Sequence, residues 1–274
     1  MKRWLVAISF VGACGSGSKP VMGPPPIDGA PADTRAARKT GNGPGLDVVF
    51  NSEDSAVELT GTYFHQGPES GDCYVFVHQL SSTRAEWRPV IDRLPQGAHV
   101  FAFDLRGHGD STRGTDRTTL SWKTFETADW EKVEGDVGKA MALVNARRGA
   151  EPESPCFLAG SSIGSSAVLR FSGAHPERVT GLLLLSPGIA YRGVKTPDAA
   201  RASTAPVMIV HSQEPGAADA AGALKGIWDD ASPPVHVEVI ADPGQEHGMK
   251  IVNGDPEILA RVAAFLSDPR EPHQ

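Results

Sequence analysis

From Leu46 onward, short apolar runs rich in β-branched residues alternate with longer amphipathic stretches, and this alternation predicts an α/β fold with a largely parallel sheet. Eight strands are expected, over Leu46–Phe50, Val57–Phe64, Tyr74–His78, Val100–Asp104, Cys156–Ala159, Gly181–Leu185, Val207–His211 and Val235–Ile240. The first two read as an opening antiparallel pair. Several of the others are apolar along their whole length, which suits strands covered on both faces by helices. Helices are expected near Arg84–Arg93, Trp130–Arg147, Ile163–Ser172, Ala217–Trp228 and Pro256–Leu266, with Pro95, Gly149 and Pro176 punctuating their ends. The connection from Ser186 to Val207 is too short to hold a large cap domain.

Before Leu46 the pattern is different. Lys2 and Arg3 precede an apolar run from Trp4 to Val11, followed by the small residues Gly12 and Ala13 and then Cys14, the layout of a secretory signal. The run is about half of the roughly 20 apolar residues a spanning helix needs. Val11-Gly12-Ala13-Cys14 resembles the lipobox of bacterial lipoproteins, in which cleavage before the cysteine is coupled to its acylation. The expectation is a signal peptide over 1–13, lipidation at Cys14, and an exported chain anchored in the lipid bilayer of a bacterial membrane, on its periplasmic or cell-surface side. Ordinary secretion is the other reading. Residues Gly15 to Gly45 hold 7 Gly and 6 Pro and only Val21, Met22 and Ile27 as large apolar side chains, too little to build a core. A disordered tether over 14–45 and one folded domain over 46–270 follow.

Charge and cysteine content narrow the possibilities. With 26 Lys+Arg against 33 Asp+Glu in 274 residues, the formal charge of −7 argues against a nucleic-acid partner. The 3 Cys are too few for a disulfide scaffold and lack the Cys/His spacing of a structural zinc site. No metal or organic cofactor is expected.

The densest chemistry lies at Gly160-Ser161-Ser162-Ile163-Gly164, which follows a buried strand and opens a helix. A G-x-S-x-G sequence in that strand–turn–helix context exposes its central serine on a sharp turn, so Ser162 is the expected nucleophile. The helix start aims the Ile163 N–H at a developing oxyanion.

At these residues the chain resembles the α/β-hydrolase family. Val77-His78-Gln79-Leu80 is similar to the family's His-Gly oxyanion segment, Asp104-Leu105-Arg106-Gly107-His108-Gly109-Asp110-Ser111 to its loop after the fourth strand, and His247-Gly248 to its catalytic histidine turn. The resemblance implies an α/β-hydrolase fold, His247 as the base, and an acid in the loop after Val207–His211. Glu214 stands at the usual acid position, with Asp219 as the alternative. It implies the Leu80 N–H as the second oxyanion donor, although Gln79 stands where the family most often has glycine. His78, Asp104, Arg106, His108 and Asp136 are expected to brace loops rather than to do chemistry.

The function so implied is a membrane-tethered serine hydrolase that cleaves small-molecule carboxylic esters or related acyl bonds through an acyl-enzyme. Peptidase, amidase or thioesterase activity on the same residues, and a catalytically silent ligand-binding lipoprotein, are the alternatives. The oligomeric state is left open. In the family's sheet order Cys73 and Cys156 start adjacent strands. Because bridges between adjacent strands are often strained, two buried thiols are expected there rather than a disulfide.

Overall fold

The computed structural model describes residues 45–65, 71–95 and 97–270. The signal peptide expected over 1–13, the lipidation expected at Cys14 and the tether expected from there, up to residue 44, lie outside the described residues.

Among the described residues nine strands form one sheet: β1 (Gly45–Asn51), β2 (Val57–His65), β3 (Cys73–Val77), β4 (His99–Phe103), β5 (Arg113–Gly114), β6 (Cys156–Ser161), β7 (Val179–Leu185), β8 (Val207–His211) and β9 (Val237–Ala241). Their order is β1-β2-β4-β3-β6-β7-β8-β9, with β5 paired to β2. Pairing is antiparallel among β1, β2, β4 and β5 through β2, and parallel from β4 across to β9. The ninth strand is a correction to the eight expected. β5 is two residues long, too short for any alternation of apolar and polar positions to mark it.

Strand periodicity then decides the layers. In β3, Cys73, Val75 and Val77 point to one apolar core, while Tyr74 and Phe76 point to the other. The first core is covered by α3 (Val133–Arg147), α4 (Ile163–Ala174), α5 (Pro197–Ala202) and α6 (Ala217–Asp229). The second is covered by α1 (Arg88–Ile91), α7 (Met249–Gly254) and α8 (Pro256–Ser267). All five residues of β3, β4 and β8 are buried, as strands sandwiched between helices must be. Helix α8 is capped by Asp255, whose carboxylate accepts from the amides of Glu257 and Ile258, with Pro256 at its first position.

Two expected helices are broken. The stretch 84–93 is a 3₁₀ turn (Arg84–Trp87) followed by the four-residue α1, and 130–147 is divided at Lys132 between α2 (Thr127–Glu131) and α3.

The expectation of two thiols is also corrected: Cys73 and Cys156 are joined by a disulfide. The parallel register that sets Tyr74 opposite Phe157 makes the two cysteines direct neighbours, with Cα atoms 4.6 Å apart. That separation falls inside the range a disulfide spans. The bridge fastens the starts of the two strands whose far ends carry His78 and Ser162.

The bracing residues act as the sequence implied. Arg106 grips Asp136 with two hydrogen bonds, Nε to Oδ2 at 2.8 Å and Nη2 to Oδ1 at 2.7 Å, both side chains being buried. Asp104 accepts from the amides of Arg84 and Asp110 and pairs with the Arg84 guanidinium. These contacts tie the loop after β4 to α3 and to the 3₁₀ turn.

Candidate active site

The loops that follow β3, β6, β7, β8 and β9 all leave the same edge of the sheet, the carboxyl edge of its parallel strands, where ligands bind in open α/β folds. Ser162 sits between β6 and α4 with φ 54° and ψ −114°, a backbone conformation that few residues other than glycine adopt. The turn is held because the Ser162 amide donates to the Leu185 carbonyl at 2.8 Å and Ser165 Oγ donates to the Gly160 carbonyl at 2.7 Å. A side chain at Gly160 would strike the Gly164 backbone, and one at Gly164 would strike the Val77 carbonyl, so the packing of this turn against β3 requires both glycines. Ser162 is 8% exposed.

The loops after β8 and β9 are bound to each other. Gln213 N donates to the Gly244 carbonyl at 2.8 Å, the Gln245 carboxamide donates to the Gln213 carbonyl at 2.9 Å, and Asp242 N donates to the His211 carbonyl at 2.8 Å. This lacing brings Glu214 to His247, with Oε1 2.6 Å from Nδ1. An imidazole whose Nδ1–H is held by a carboxylate presents Nε2 as a proton acceptor and is stabilised when it becomes an imidazolium. Asp219, the alternative acid, is exposed in the first turn of α6, and no bond joins it to His247.

Gly248 follows His247 with φ 58°, and its amide donates to Ser186 Oγ at 2.9 Å. Gln79 lies against it. The Gln79 carboxamide oxygen accepts from Ser161 Oγ at 3.1 Å, so the side chain that replaces the family's glycine links the oxyanion segment, the residue before Ser162 and the residue after His247.

Behind this segment stands His78, fully buried. Its Nε2 accepts from the Leu105 amide at 2.9 Å and its Nδ1 faces the Gln79 carbonyl at 2.7 Å, partners that together define a neutral ring carrying its proton on Nδ1. Burial pushes its pKa down to about 3. The amides of Leu80 and Ile163, the expected oxyanion donors, have no acceptor among the described residues, and Ile163 directly follows Ser162 at the start of α4. Among the described residues no cluster of His, Cys, Asp and Glu has the arrangement to hold a metal ion.

A family model described as "Serine aminopeptidase, S33", a hydrolase family, matches residues 72–214, just over half of the chain. The chain belongs to this family. It is 25% identical over 190 residues to lipase LipV of Mycobacterium tuberculosis, a match covering 68% of this chain and 64% of LipV. It is also 25% identical over 129 residues to the human monoacylglycerol lipase ABHD6, covering 47% of this chain and 34% of that protein. The chain thus spans less than two thirds of the length of these curated relatives. Among solved structures, the esterase Pf2001 of Pyrococcus furiosus superposes with a TM-score of 0.62 at 19% identity, covering 81% of this chain and 91% of that one. That likeness establishes the α/β-hydrolase fold.

The fold expectation therefore stands, and the S33 match spans the strands and loops from Asp72 to Glu214. Two groups at the site were not singled out from the sequence. Ser186 Oγ, which receives the Gly248 amide, carried no motif, and Glu86, described below, lay in a stretch read only as a helix.

Proposed function

We propose that this S33-family chain is a membrane-tethered serine hydrolase that cleaves carboxylic esters of small molecules through an acyl-enzyme. The observation that carries the reading is the His247–Glu214 pair at 2.6 Å, laced onto the same sheet edge as the strained Ser162 turn. Ser162 Oγ attacks the ester carbonyl while His247 Nε2 takes its proton, and Glu214 stabilises the resulting imidazolium. The tetrahedral oxyanion forms between the free amides of Leu80 and Ile163. A donor of this kind is worth roughly 3–4 kcal/mol when removed elsewhere. His247 then gives its proton to the leaving alkoxide, and a water activated by the same histidine releases the acid and restores Ser162.

Ester substrates are favoured because LipV, ABHD6 and Pf2001 are named as lipases and an esterase. The family's description as a serine aminopeptidase favours a second reading, amide cleavage by the same groups.

Export and anchoring through acylated Cys14 rest on the Val11-Gly12-Ala13-Cys14 sequence. The Cys73–Cys156 disulfide supports export, since such bonds persist in oxidising compartments. Several acyl chains on one residue hold a protein stably to a bilayer.

The test is to treat the purified protein with a fluorophosphonate probe and to assay p-nitrophenyl acyl esters beside aminoacyl anilides, for wild type and Ser162→Ala. Labelling and ester turnover that vanish in Ser162→Ala are expected. Labelling that persists in the variant overturns the nucleophile, an unlabelled folded wild type favours the silent binder, and turnover of anilides alone favours the peptidase. Retention in the membrane fraction that is lost in Cys14→Ser tests the anchor.

A further inference from the structure

Of the two oxyanion amides in the proposed mechanism, that of Ile163 is set by a helix start, whereas that of Leu80 lies in the irregular segment Gln79–Ser82, in which Ser81 has φ 62°. The direction of the Leu80 N–H follows from the Gln79–Leu80 peptide, because in a trans peptide the N–H points opposite to the carbonyl. The Gln79 carbonyl is held by His78 Nδ1–H at 2.7 Å and by the Ser82 amide at 3.2 Å. The other end of the same residue is held by Glu86: the Gln79 amide donates to Glu86 Oε1 at 2.9 Å. Glu86 is itself fixed, since the next residue in its 3₁₀ turn, Trp87, is fully buried in the core.

We propose that Glu86 is a positioning residue for the oxyanion hole, its carboxylate fixing Gln79 so that the Leu80 amide faces the reacting carbonyl. The inference rests on the hydrolase reading above. Protonation would weaken Glu86 as an acceptor and slacken this segment, making the aim of the amide depend on pH.

Among the described residues no cation pairs with Glu86. On its own turn and in α1, Arg84 is engaged by Asp104, Asp110 and Asp47, and Arg88 by Asp92. From the end of β3, His78 is neutral, and beyond Gln79 the histidine turn brings His247 bound to Glu214 and Glu246 near Lys250. Burial without a counter-charge pushes the Glu86 carboxyl up to about 7, although the bond from Gln79 opposes the rise. Glu86 must therefore be ionised to hold the segment, and its protonation limits the reaction on the acid side.

The experiment compares wild type, Glu86→Gln and Glu86→Ala in ester turnover from pH 5 to 9, with fluorophosphonate labelling of each. In Glu86→Ala, kcat falls roughly tenfold to a hundredfold with KM little changed, the signature of a misplaced transition-state donor. Glu86→Gln keeps an acceptor oxygen of the same shape, so its kcat at pH 8 stays well above that of Glu86→Ala, and its acid limb lacks the ionisation that Glu86 gives the wild type. An unchanged kcat in Glu86→Ala, or an acid limb in Glu86→Gln that matches the wild type, overturns the proposal. If Glu86→Ala does not fold, the pH profile of Glu86→Gln decides alone. Wild type that lacks Ser162-dependent labelling overturns the hydrolase reading and this proposal together. Labelled wild type with insensitive Glu86 variants overturns this proposal by itself.

Discussion

Gln79 occupies the space that any side chain at position 248 would need. Its carboxamide oxygen and Ser161 Oγ both crowd the point where a Cβ on Gly248 would lie, and the φ of 58° there disfavours any L side chain independently. Gly248→Ala is therefore expected to displace the histidine turn, at a backbone strain of about 1–3 kcal/mol. Thermal unfolding and ester turnover check this: a lower Tm together with a loss of kcat of about a hundredfold is the expected pair. Because Gln79→Gly removes only its own part of the collision and leaves Ser161 Oγ and the φ strain, the double variant should recover only part of the activity.

The acid of the proposed triad can be identified by charge removal without change of shape. Glu214→Gln replaces the partner of His247 Nδ1 by a carboxamide, and kcat is expected to fall by about 10³–10⁴ while fluorescence and unfolding midpoints stay close to wild type. Asp219→Asn, on the exposed face of α6, should leave kcat unchanged. Steady-state kinetics at one pH above neutrality separates the two.

The disulfide closes a loop between residues separated by 83 positions. Chain-entropy arguments give up to about 4.5 kcal/mol for a loop of that length, and measured bridges usually give about 2–4 kcal/mol. Cys73→Ala/Cys156→Ala should lower the urea midpoint accordingly, with turnover below the midpoint retained because the bridge stands at the opposite ends of β3 and β6 from His78 and Ser162. Equal midpoints for the oxidised and the doubly substituted protein would contradict this.

His78 links acidity to stability. In the folded protein it stays neutral down to about pH 3, whereas the unfolded chain binds its proton near the ordinary histidine value of 6.5. Its contribution is fully present above about pH 6.5 and is lost as pH falls toward 3, at up to about 1.4 kcal/mol per pH unit. Urea unfolding of wild type and His78→Gln from pH 7.5 to 4 checks the sign: the variant starts less stable but declines less steeply.

Much of the sheet was legible in the sequence because its strands are buried on both faces. Val207–His211 and the apolar core of Val179–Leu185 carry hardly a polar residue, and no exposed surface element reads that way. What escaped was short or dependent on tertiary contact. Helices α5 and α7 have six residues each, fewer than two turns, so no apolar stripe can develop along them. Ser162 stands on a turn whose glycines are written locally, but which of Glu214 and Asp219 comes to lie against His247 depends on how two loops face each other across 33 residues of sequence, which here are laced through Gln213 and Gly244. The hold of Glu86 on Gln79 is seven residues long in sequence, yet it needs Trp87 seated in the core before the carboxylate turns inward.

The bridge between Cys73 and Cys156 also bears on how the protein is prepared. A chain made in a reducing cytoplasm and one made in an oxidising compartment have the same sequence but differ by two hydrogen atoms, and both sulfurs are almost wholly enclosed, with their residues 2% and 1% exposed. Once the fold has closed over them, neither oxidant nor reductant reaches the pair without opening the sheet. Each batch therefore keeps the covalent state of the compartment in which it first folded, and activities or melting points from two expression hosts describe one substance only after the thiols have been counted.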